Sequence, residues 1–326
     1  MSMAPLTCWV AAPLRGRGAG TWAGLGEDGA GRKGFAAVGG MGEDGRMSQP
    51  FVVSRPGCEL IGERWTGPGP VVVLLHQGVA DRRGWAAVAE HLSQAATVVA
   101  YDRRGYGESA PSTEPFTHVE DLLAVLDQAR HDQADGERDG GERAWLVGAS
   151  IGGGVALDAA LVAPDRLAGL VLVAPAVSGA PDPELDDAAE RFEARYDEAV
   201  AGGDAAAMNR VDTWLWLDGP APPEGRVPGQ ARELALDMNA IIIKNDVPEE
   251  DGASGVDAWS RLGELTMPVT VACGDLDVAY LVTRSRELAD RLPRGRHHVL
   301  PGMAHTPNLE QPALVAQVIL DALKDG

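Results

Sequence analysis

Apolar and polar positions alternate along the chain after residue 48 in a way that predicts strands followed by helices. Mostly apolar runs, which are typical of strands buried on both faces of a sheet, occur at VVVLL (71–75), TVVAYD (97–102), AWLVG (144–148), LAGLVLVAP (167–175) and PVTVACG (268–274). Apolar residues at helical spacing predict helices between and after them, over residues 117–131, 151–163, 281–292 and 309–324.

Three further segments complete the predicted sheet. FVVSR (51–55) and CELIGERW (58–65), joined at Pro56-Gly57, predict an antiparallel hairpin. RHHVLPG (296–302) predicts a last strand. Strands that alternate with helices indicate a mainly parallel sheet with helices on both faces. The pattern therefore predicts an α/β fold with eight strands.

The alternation stops between about residues 178 and 260, where the pattern is helical apart from a turn-rich break at WLWLDGPAPPEGRVPGQ. This predicts a helical cap, 178–260, inserted between the core segments 47–177 and 261–326. A cap over a sheet encloses a pocket, so Trp214 and Trp216 are candidate pocket residues, although they could equally serve only to hold the cap together. Residues 1–46 are rich in glycine and lack periodicity, and we expect a disordered extension there.

Charge and cysteine content narrow the class of partner. The formal net charge of −20, from 48 acidic and 28 basic residues, repels phosphate backbones and anionic lipid surfaces, so neither nucleic acid nor a membrane is an expected partner. The three cysteines show no CxxC pair and no zinc spacing. They therefore indicate neither a disulfide framework nor a structural metal and fit a reducing cytoplasm. The lack of an apolar run of about 18 residues gives no support for a transmembrane helix, and we expect a cytoplasmic protein.

One serine lies between glycines where a predicted strand passes into a predicted helix. Residues 148–152, Gly-Ala-Ser-Ile-Gly, fit the G-x-S-x-G pattern in its required context. A turn this sharp leaves no room for side chains on either side, and it presents the Ser150 hydroxyl at a helix N-terminus, where negative charge is favoured. A small-residue turn in any parallel sheet could also produce this pentapeptide by chance.

A nucleophilic serine needs a base and an orienting carboxylate. His305 lies on a loop just after the last predicted strand, where parallel sheets build their sites. Asp277, beyond the strand 268–274, is the preferred carboxylate, and Asp275 is more consistent with a turn residue. Backbone N–H groups of Gly78, after the strand 71–75, and of Ile151 are the candidate oxyanion donors.

Four motifs resemble the α/β-hydrolase superfamily over roughly residue 51 to the C-terminus: LLHQGVADRRGW, YDRRGYGES, GASIGG and the late pair GDLD and GMAH. They occur in the order Ser, Asp, His that the family uses. The family's oxyanion position corresponds to Gly78, but Gln77 replaces the usual first glycine. This departure leaves Gly78 and Val79 both open as the donor and makes Gln77 a candidate substrate contact.

The resemblance implies a serine hydrolase of a small, fairly apolar carboxylic ester or lactone, a reaction that needs no metal or organic cofactor. The cap and its WLWLDGP segment look like those of small bacterial esterases and enol-lactonases, and a serine nucleophile argues against the epoxide and haloalkane branches. The same triad serves thioesterases, carbon–carbon bond hydrolases and cofactor-free perhydrolases, so these stay open. A receptor-like protein that binds a ligand with little turnover is the alternative from another class. The oligomeric state is not predicted.

Overall fold

The computed structural model of the chain describes residues 48–112, 114–132, 143–246 and 252–325. The expected extension 1–46 lies outside these residues. None of the helices within these ranges is both long and apolar enough to cross a membrane.

Eight strands in the described part of the chain form one sheet, in the order β1-β2-β4-β3-β5-β6-β7-β8. The first hairpin and the β2–β4 pair are antiparallel, and every other neighbouring pair is parallel. The predicted fold class is therefore confirmed. The strands are β1 Gln49–Arg55, β2 Cys58–Trp65, β3 Val71–Leu75, β4 Thr97–Tyr101, β5 Ala144–Ala149, β6 Leu167–Val173, β7 Val269–Gly274 and β8 Gly295–Leu300.

Helices cover both faces of the sheet because its central strands are apolar on both sides. In β3, Val71, Val73 and Leu75 pack on one face, and Val72 and Leu74 pack on the other. The core helices are α1 Ala86–Leu92, α2 His118–His131, α3 Ile151–Val162, α8 Ala279–Arg291, α9 Pro307–Glu310 and α10 Pro312–Asp325. Helices α2, α3 and α8 contribute to the first face, while α1 and α10 contribute to the second.

The described residues between β6 and β7 include four α-helices. These are α4 Asp187–Ala201, α5 Ala205–Thr213, α6 Gln230–Asn245 and α7 Ala258–Arg261. Side chains of α4, α5 and the turn after α5 form an apolar cluster with Val278 and Leu281 of the core. The inserted segment thus packs on the edge of the sheet where β7 ends.

Two local features refine the sequence prediction. Trp214–Asp218, at the start of the segment that contains the predicted break, forms a π-helical turn that continues α5 and ends at Gly219, which has φ 91°. The predicted closing helix 309–324 is two helices, because Pro312 has no N–H and starts α10 afresh. Gln311, the residue before this proline, leaves the helical region with φ −141° and ψ 67°.

Candidate active site

Ser150 lies in a strained turn between β5 and α3. It has φ 52° and ψ −122°, a conformation that costs energy for any residue with a side chain. Ser150 N donates to Val173 O at 2.9 Å and Ser150 O accepts from Ala176 N at 3.0 Å. A Cβ on Gly148 would lie 2.3 Å from Gly152 O, and one on Gly152 would lie 2.5 Å from Leu75 O. The glycines are therefore required by the close approach of backbone, as the motif predicted.

His305 and Asp277 are in direct contact. His305 Nδ1 lies 2.8 Å from Asp277 Oδ2, and both residues are buried. The second carboxylate oxygen, Oδ1, accepts from Val278 N at 2.7 Å. Because Nδ1 faces a carboxylate, it carries the proton, and Nε2 is left as the acceptor. This is the tautomer that a general base needs.

Each of the three predicted triad residues follows a parallel strand: Ser150 follows β5, Asp277 follows β7 and His305 follows β8. In the sheet, β5 and β7 flank β6, and β8 lies beside β7. Since parallel strands end at the same edge of a sheet, Ser150, Asp277 and His305 lie along one edge. In the described ranges Ser150 Oγ has no hydrogen-bond partner, so the structure joins Asp277 to His305 directly and leaves the serine hydroxyl unbonded. Hydrogen bonds between a nucleophile and its base are often long before substrate binds.

Asp275, the other carboxylate after β7, has a separate role. It accepts from Gly302 N at 2.6 Å and so joins the turn after β7 to the turn after β8. Of these two aspartates, Asp277 is the one in contact with His305.

The candidate oxyanion loop lies beside the nucleophile turn. A Cβ on Gly78 would lie 2.8 Å from Ile151 Cδ1, so the two predicted donor residues are adjacent. The loop is supported from behind by His76, whose Nε2 accepts from Arg103 N at 3.0 Å and whose Nδ1 lies 2.7 Å from Gln77 O. Burial and the Arg103 charge lower the pKa of His76 well below its usual value. His76 is therefore a neutral ring that donates through Nδ1.

Gln77, the candidate substrate contact, is fully buried. Its Nε2 donates to Asn308 Oδ1 at 2.6 Å. Asn308 Nδ2 in turn donates to Gly84 O at 2.8 Å. The pair joins the oxyanion loop to the segment just after His305. Sequence reasoning missed Asn308, whose one signal is its position three residues after the histidine.

The two candidate pocket tryptophans have different surroundings. The Trp216 ring lies 4.6 Å from the His305 ring, centroid to centroid, and Trp216 O accepts from Thr306 Oγ1 at 3.2 Å. Trp214 instead lies under the Arg195 guanidinium, 4.6 Å from the ring centroid. Trp216 thus borders the candidate site, whereas these contacts of Trp214 are made within the inserted segment.

Arg226 and Glu310 form a half-buried link between the inserted segment and the histidine loop that the sequence did not reveal. Arg226 Nη1 lies 2.6 Å from Glu310 Oε2, and Arg226 Nη2 donates to Leu217 O at 2.7 Å. Glu310 Oε1 accepts from Ala304 N at 2.7 Å. The link fixes the backbone next to His305 and the π-helical turn that carries Trp216.

The YDRRGYGES motif forms a structural turn beside these loops. Asp102 accepts from Arg82 N at 2.8 Å and from Glu108 N at 2.9 Å. Burial and the neighbouring Asp81 carboxylate raise the pKa of Asp102. Gly107 has φ 51°, and a Cβ there would lie 2.2 Å from Asp102 Oδ2, so the motif requires this glycine. Across the described ranges no group of three or more potential ligand side chains is arranged to hold a metal ion.

The family model for the alpha/beta hydrolase family matches residues 72–318. The chain belongs to this family. A relative from Bacillus subtilis, provisionally named 2-succinyl-6-hydroxy-2,4-cyclohexadiene-1-carboxylate synthase, is 25% identical over 265 residues, 77% of this chain and 89% of the relative. The predictions of the superfamily and of a hydrolase are therefore confirmed.

Solved structures of the same fold include enzymes that act on esters and lactones. A thermophilic esterase from Thermogutta terrifontis is 26% identical with a TM-score of 0.58, over 85% of this chain and 98% of that one. The enol-lactonase from Burkholderia xenovorans is 21% identical with a TM-score of 0.62, over 85% of this chain and 100% of that one. The second likeness shows the shared fold.

Proposed function

We propose that this member of the family is a serine hydrolase that cleaves a small, fairly apolar carboxylic ester or lactone through an acyl-enzyme. The observation that carries the proposal is the buried contact of His305 Nδ1 with Asp277 Oδ2 at 2.8 Å. It fixes the histidine with Nε2 as the proton acceptor, on the edge of the sheet that also presents Ser150.

In the proposed reaction, Ser150 Oγ attacks the carbonyl carbon while its proton passes to His305 Nε2. Backbone N–H groups of Gly78 and Ile151 donate to the oxyanion. When the carbon–oxygen bond breaks, the His305 proton goes to the departing alkoxide, which leaves as an alcohol or, for a lactone, stays attached as a hydroxyl. His305 then deprotonates a water molecule that attacks the acyl-enzyme, and it returns this proton to Ser150 Oγ as the bond between that oxygen and the acyl carbon breaks and the acid leaves.

The apolar character of the proposed substrate follows from the side chains beside the triad. Trp216 belongs to an apolar cluster that includes Val278, next to Asp277, and Val79, next to Gly78. Val79 and Met208 are only partly buried in this cluster, which leaves apolar surface for a ligand. We propose that residues 178–260 act as the cap that holds the acyl or alcohol part of the substrate.

The relatives support the ester reading without defining a substrate. The esterase from Thermogutta terrifontis shares 26% of its sequence with this chain, and the enol-lactonase shares the fold. The named synthase from Bacillus subtilis illustrates that related chains carry out other chemistry. Thioester and carbon–carbon bond cleavage are therefore arms of the test below.

The test is labelling with a fluorescent organophosphonate, followed by a panel of p-nitrophenyl esters, lactones, thioesters and vinylogous diketones. The wild-type protein is expected to be labelled and to hydrolyse short esters or lactones, and Ser150→Ala is expected to do neither. Ser260→Ala, which changes an exposed serine, is the matched control and should behave like the wild type. A folded wild-type protein that resists the label and turns over no member of the panel would refute the proposal.

We also propose a cytoplasmic location. Cys58 and Cys273 are both buried free thiols, and free thiols are typical of a reducing compartment. Fractionation of cells that express the full chain tests this, and recovery of the protein outside the cytoplasmic fraction would contradict it.

A further inference from the structure

A buried arginine lies directly behind the candidate oxyanion loop, and none of the acidic side chains in the described ranges is paired with it. Arg103 is 2% exposed, and no carboxylate of the described residues lies within 4.0 Å of its guanidinium. Its guanidinium carbon lies 4.2 Å from the centre of the Tyr106 ring, and Nη2 lies 3.4 Å from Gln77 O. Burying a charge without a counter-ion is costly, so this position calls for an explanation that packing alone does not give.

The carbonyl that Arg103 approaches belongs to the peptide group whose N–H is the candidate oxyanion donor. Gln77 C=O and Gly78 N–H are the two ends of one planar amide. Gln77 O receives two donors, His76 Nδ1–H at 2.7 Å and Arg103 Nη2–H at 3.4 Å. Hydrogen bonds to an amide oxygen draw electron density from the nitrogen, and in a low-dielectric interior this strengthens the N–H as a donor.

The two groups that act on Gln77 O are themselves held in place. His76 Nε2 accepts from Arg103 N at 3.0 Å, and the His76 and Tyr106 rings lie 4.8 Å apart. The Tyr106 ring in turn lies under the Arg103 guanidinium. These contacts fix the positions of the His76 ring and the Arg103 guanidinium relative to the Gln77 carbonyl oxygen.

We propose that Arg103 is a positioning residue of the oxyanion hole, which acts through the Gln77 carbonyl to orient and polarise the Gly78 N–H. The inference rests on the proposed hydrolase function and adds to it a residue outside the triad. It also assigns the first oxyanion donor to Gly78 rather than to Val79, because the polarised amide is the one that joins residues 77 and 78.

The expected loss of kcat in an Arg103 variant is smaller than the loss caused by removing one oxyanion donor. Loss of a whole oxyanion donor typically lowers kcat by about 10²–10³. Arg103 modulates one donor without removing it, so Arg103→Met should lower kcat by about 10- to 50-fold. Since the charge acts on the oxyanion and not on the bound ester, KM should change by less than about twofold.

The experiment compares the wild type, Arg103→Met and Arg103→Lys with Arg64→Met, which removes a similarly buried arginine on β2 that is ion-paired to Asp132 at 3.4 Å. The assay measures kcat and KM for a p-nitrophenyl ester and the inhibition constant of a trifluoromethyl ketone, which forms an oxyanion on the serine. In each Arg103 variant we expect the affinity for the ketone and kcat/KM to fall by the same factor, and this factor should be larger for Arg103→Met than for Arg103→Lys. Neither quantity should fall in Arg64→Met.

A change in KM alone would overturn the inference. Values of kcat and of ketone affinity equal to those of the wild type would overturn it as well. If Arg103→Met does not fold, Arg103→Lys carries the same test, together with the amide proton shift of Gly78, which should move upfield when the guanidinium is removed. An inactive wild type that also resists the organophosphonate would instead refute the proposed function. The two failures are therefore distinguishable.

Discussion

Asp158 joins the nucleophile helix to both ends of the inserted segment, and its protonation should control stability. It lies on α3 and is fully buried. Its Oδ1 accepts from Ser178 Oγ at 2.7 Å, and its Oδ2 accepts from Ser254 Oγ at 2.5 Å. Despite these bonds, burial raises the pKa of Asp158 from its ordinary value of 3.8 to about 6. The folded protein therefore binds this proton more tightly than the unfolded chain does.

Because of this difference in pKa between the folded and unfolded states, the ionised Asp158 carboxylate destabilises the folded protein at neutral pH. A pKa change from 3.8 to about 6 corresponds to about 3 kcal/mol of unfolding free energy. Because the pKa of Asp158 is higher in the folded protein, the protonated side chain contributes this unfolding free energy fully below about pH 4. The contribution is lost as the pH rises through 6. Asp158→Asn has the shape and hydrogen-bonding groups of the protonated acid. It should leave stability nearly unchanged at pH 4 and raise it by about 3 kcal/mol at pH 8.

The assay is urea unfolding of the full chain at pH 4, 6 and 8, followed by tryptophan fluorescence. Asp165→Asn changes an exposed aspartate just beyond the same helix and should shift the midpoint little at any of the three values. An Asp158→Asn gain of equal size at pH 4 and pH 8 would refute the reasoning, because a charge-independent effect would then explain it. A loss at pH 8 would refute it as well.

Three further substitutions test the site and its supports. Asp277→Asn should lower kcat by about 10⁴-fold in the ester assay while the fold is kept, because His305 would then favour the wrong tautomer; a loss below about tenfold would contradict the assigned role. Gly107→Ala should lower the melting temperature and the yield of folded protein, since a Cβ at φ 51° would lie 2.2 Å from Asp102 Oδ2. Asn308→Ala removes the bonds to Gln77 Nε2 and Gly84 O and should cost about 1–3 kcal/mol in urea unfolding. Unchanged stability would show that these bonds contribute nothing.

The strands and the nucleophile turn could be predicted from the sequence because their causes are local. An unbroken run such as Val71–Leu75 is apolar on both faces, and this alone indicates a buried strand. Gly148 and Gly152 flank Ser150 within five residues, so the need for close backbone approach is visible in one short window. The Asp277–His305 pair could be proposed because both residues follow strands that end at one edge.

The supports of the site could not be predicted, because each joins residues that are far apart in sequence. Gln77 and Asn308 are separated by 231 positions, and no local pattern indicates that two neutral amides will meet. A glutamine after a strand is equally consistent with a side chain that faces the cleft, which is why Gln77 was expected to contact substrate. The π-helical turn at Trp214–Asp218 has the same cause, since its geometry depends on Arg226, which donates to the Leu217 and Asp218 carbonyls.

The inserted segment is tied to the core by polar contacts at separate places, and this explains how an insertion can position a residue of the site. Asp158 binds serines near both of its ends, and Asp237 on α6 lies 2.6 Å from Arg83. Arg226 then binds Glu310, whose other oxygen accepts from Ala304 N. The contact between Arg226 and Glu310 holds both the backbone beside His305 and the turn that carries Trp216. It therefore fixes the contact between the Trp216 and His305 rings, whose centroids lie 4.6 Å apart. The position of Trp216 therefore depends on the histidine loop as well as on the packing of its own segment.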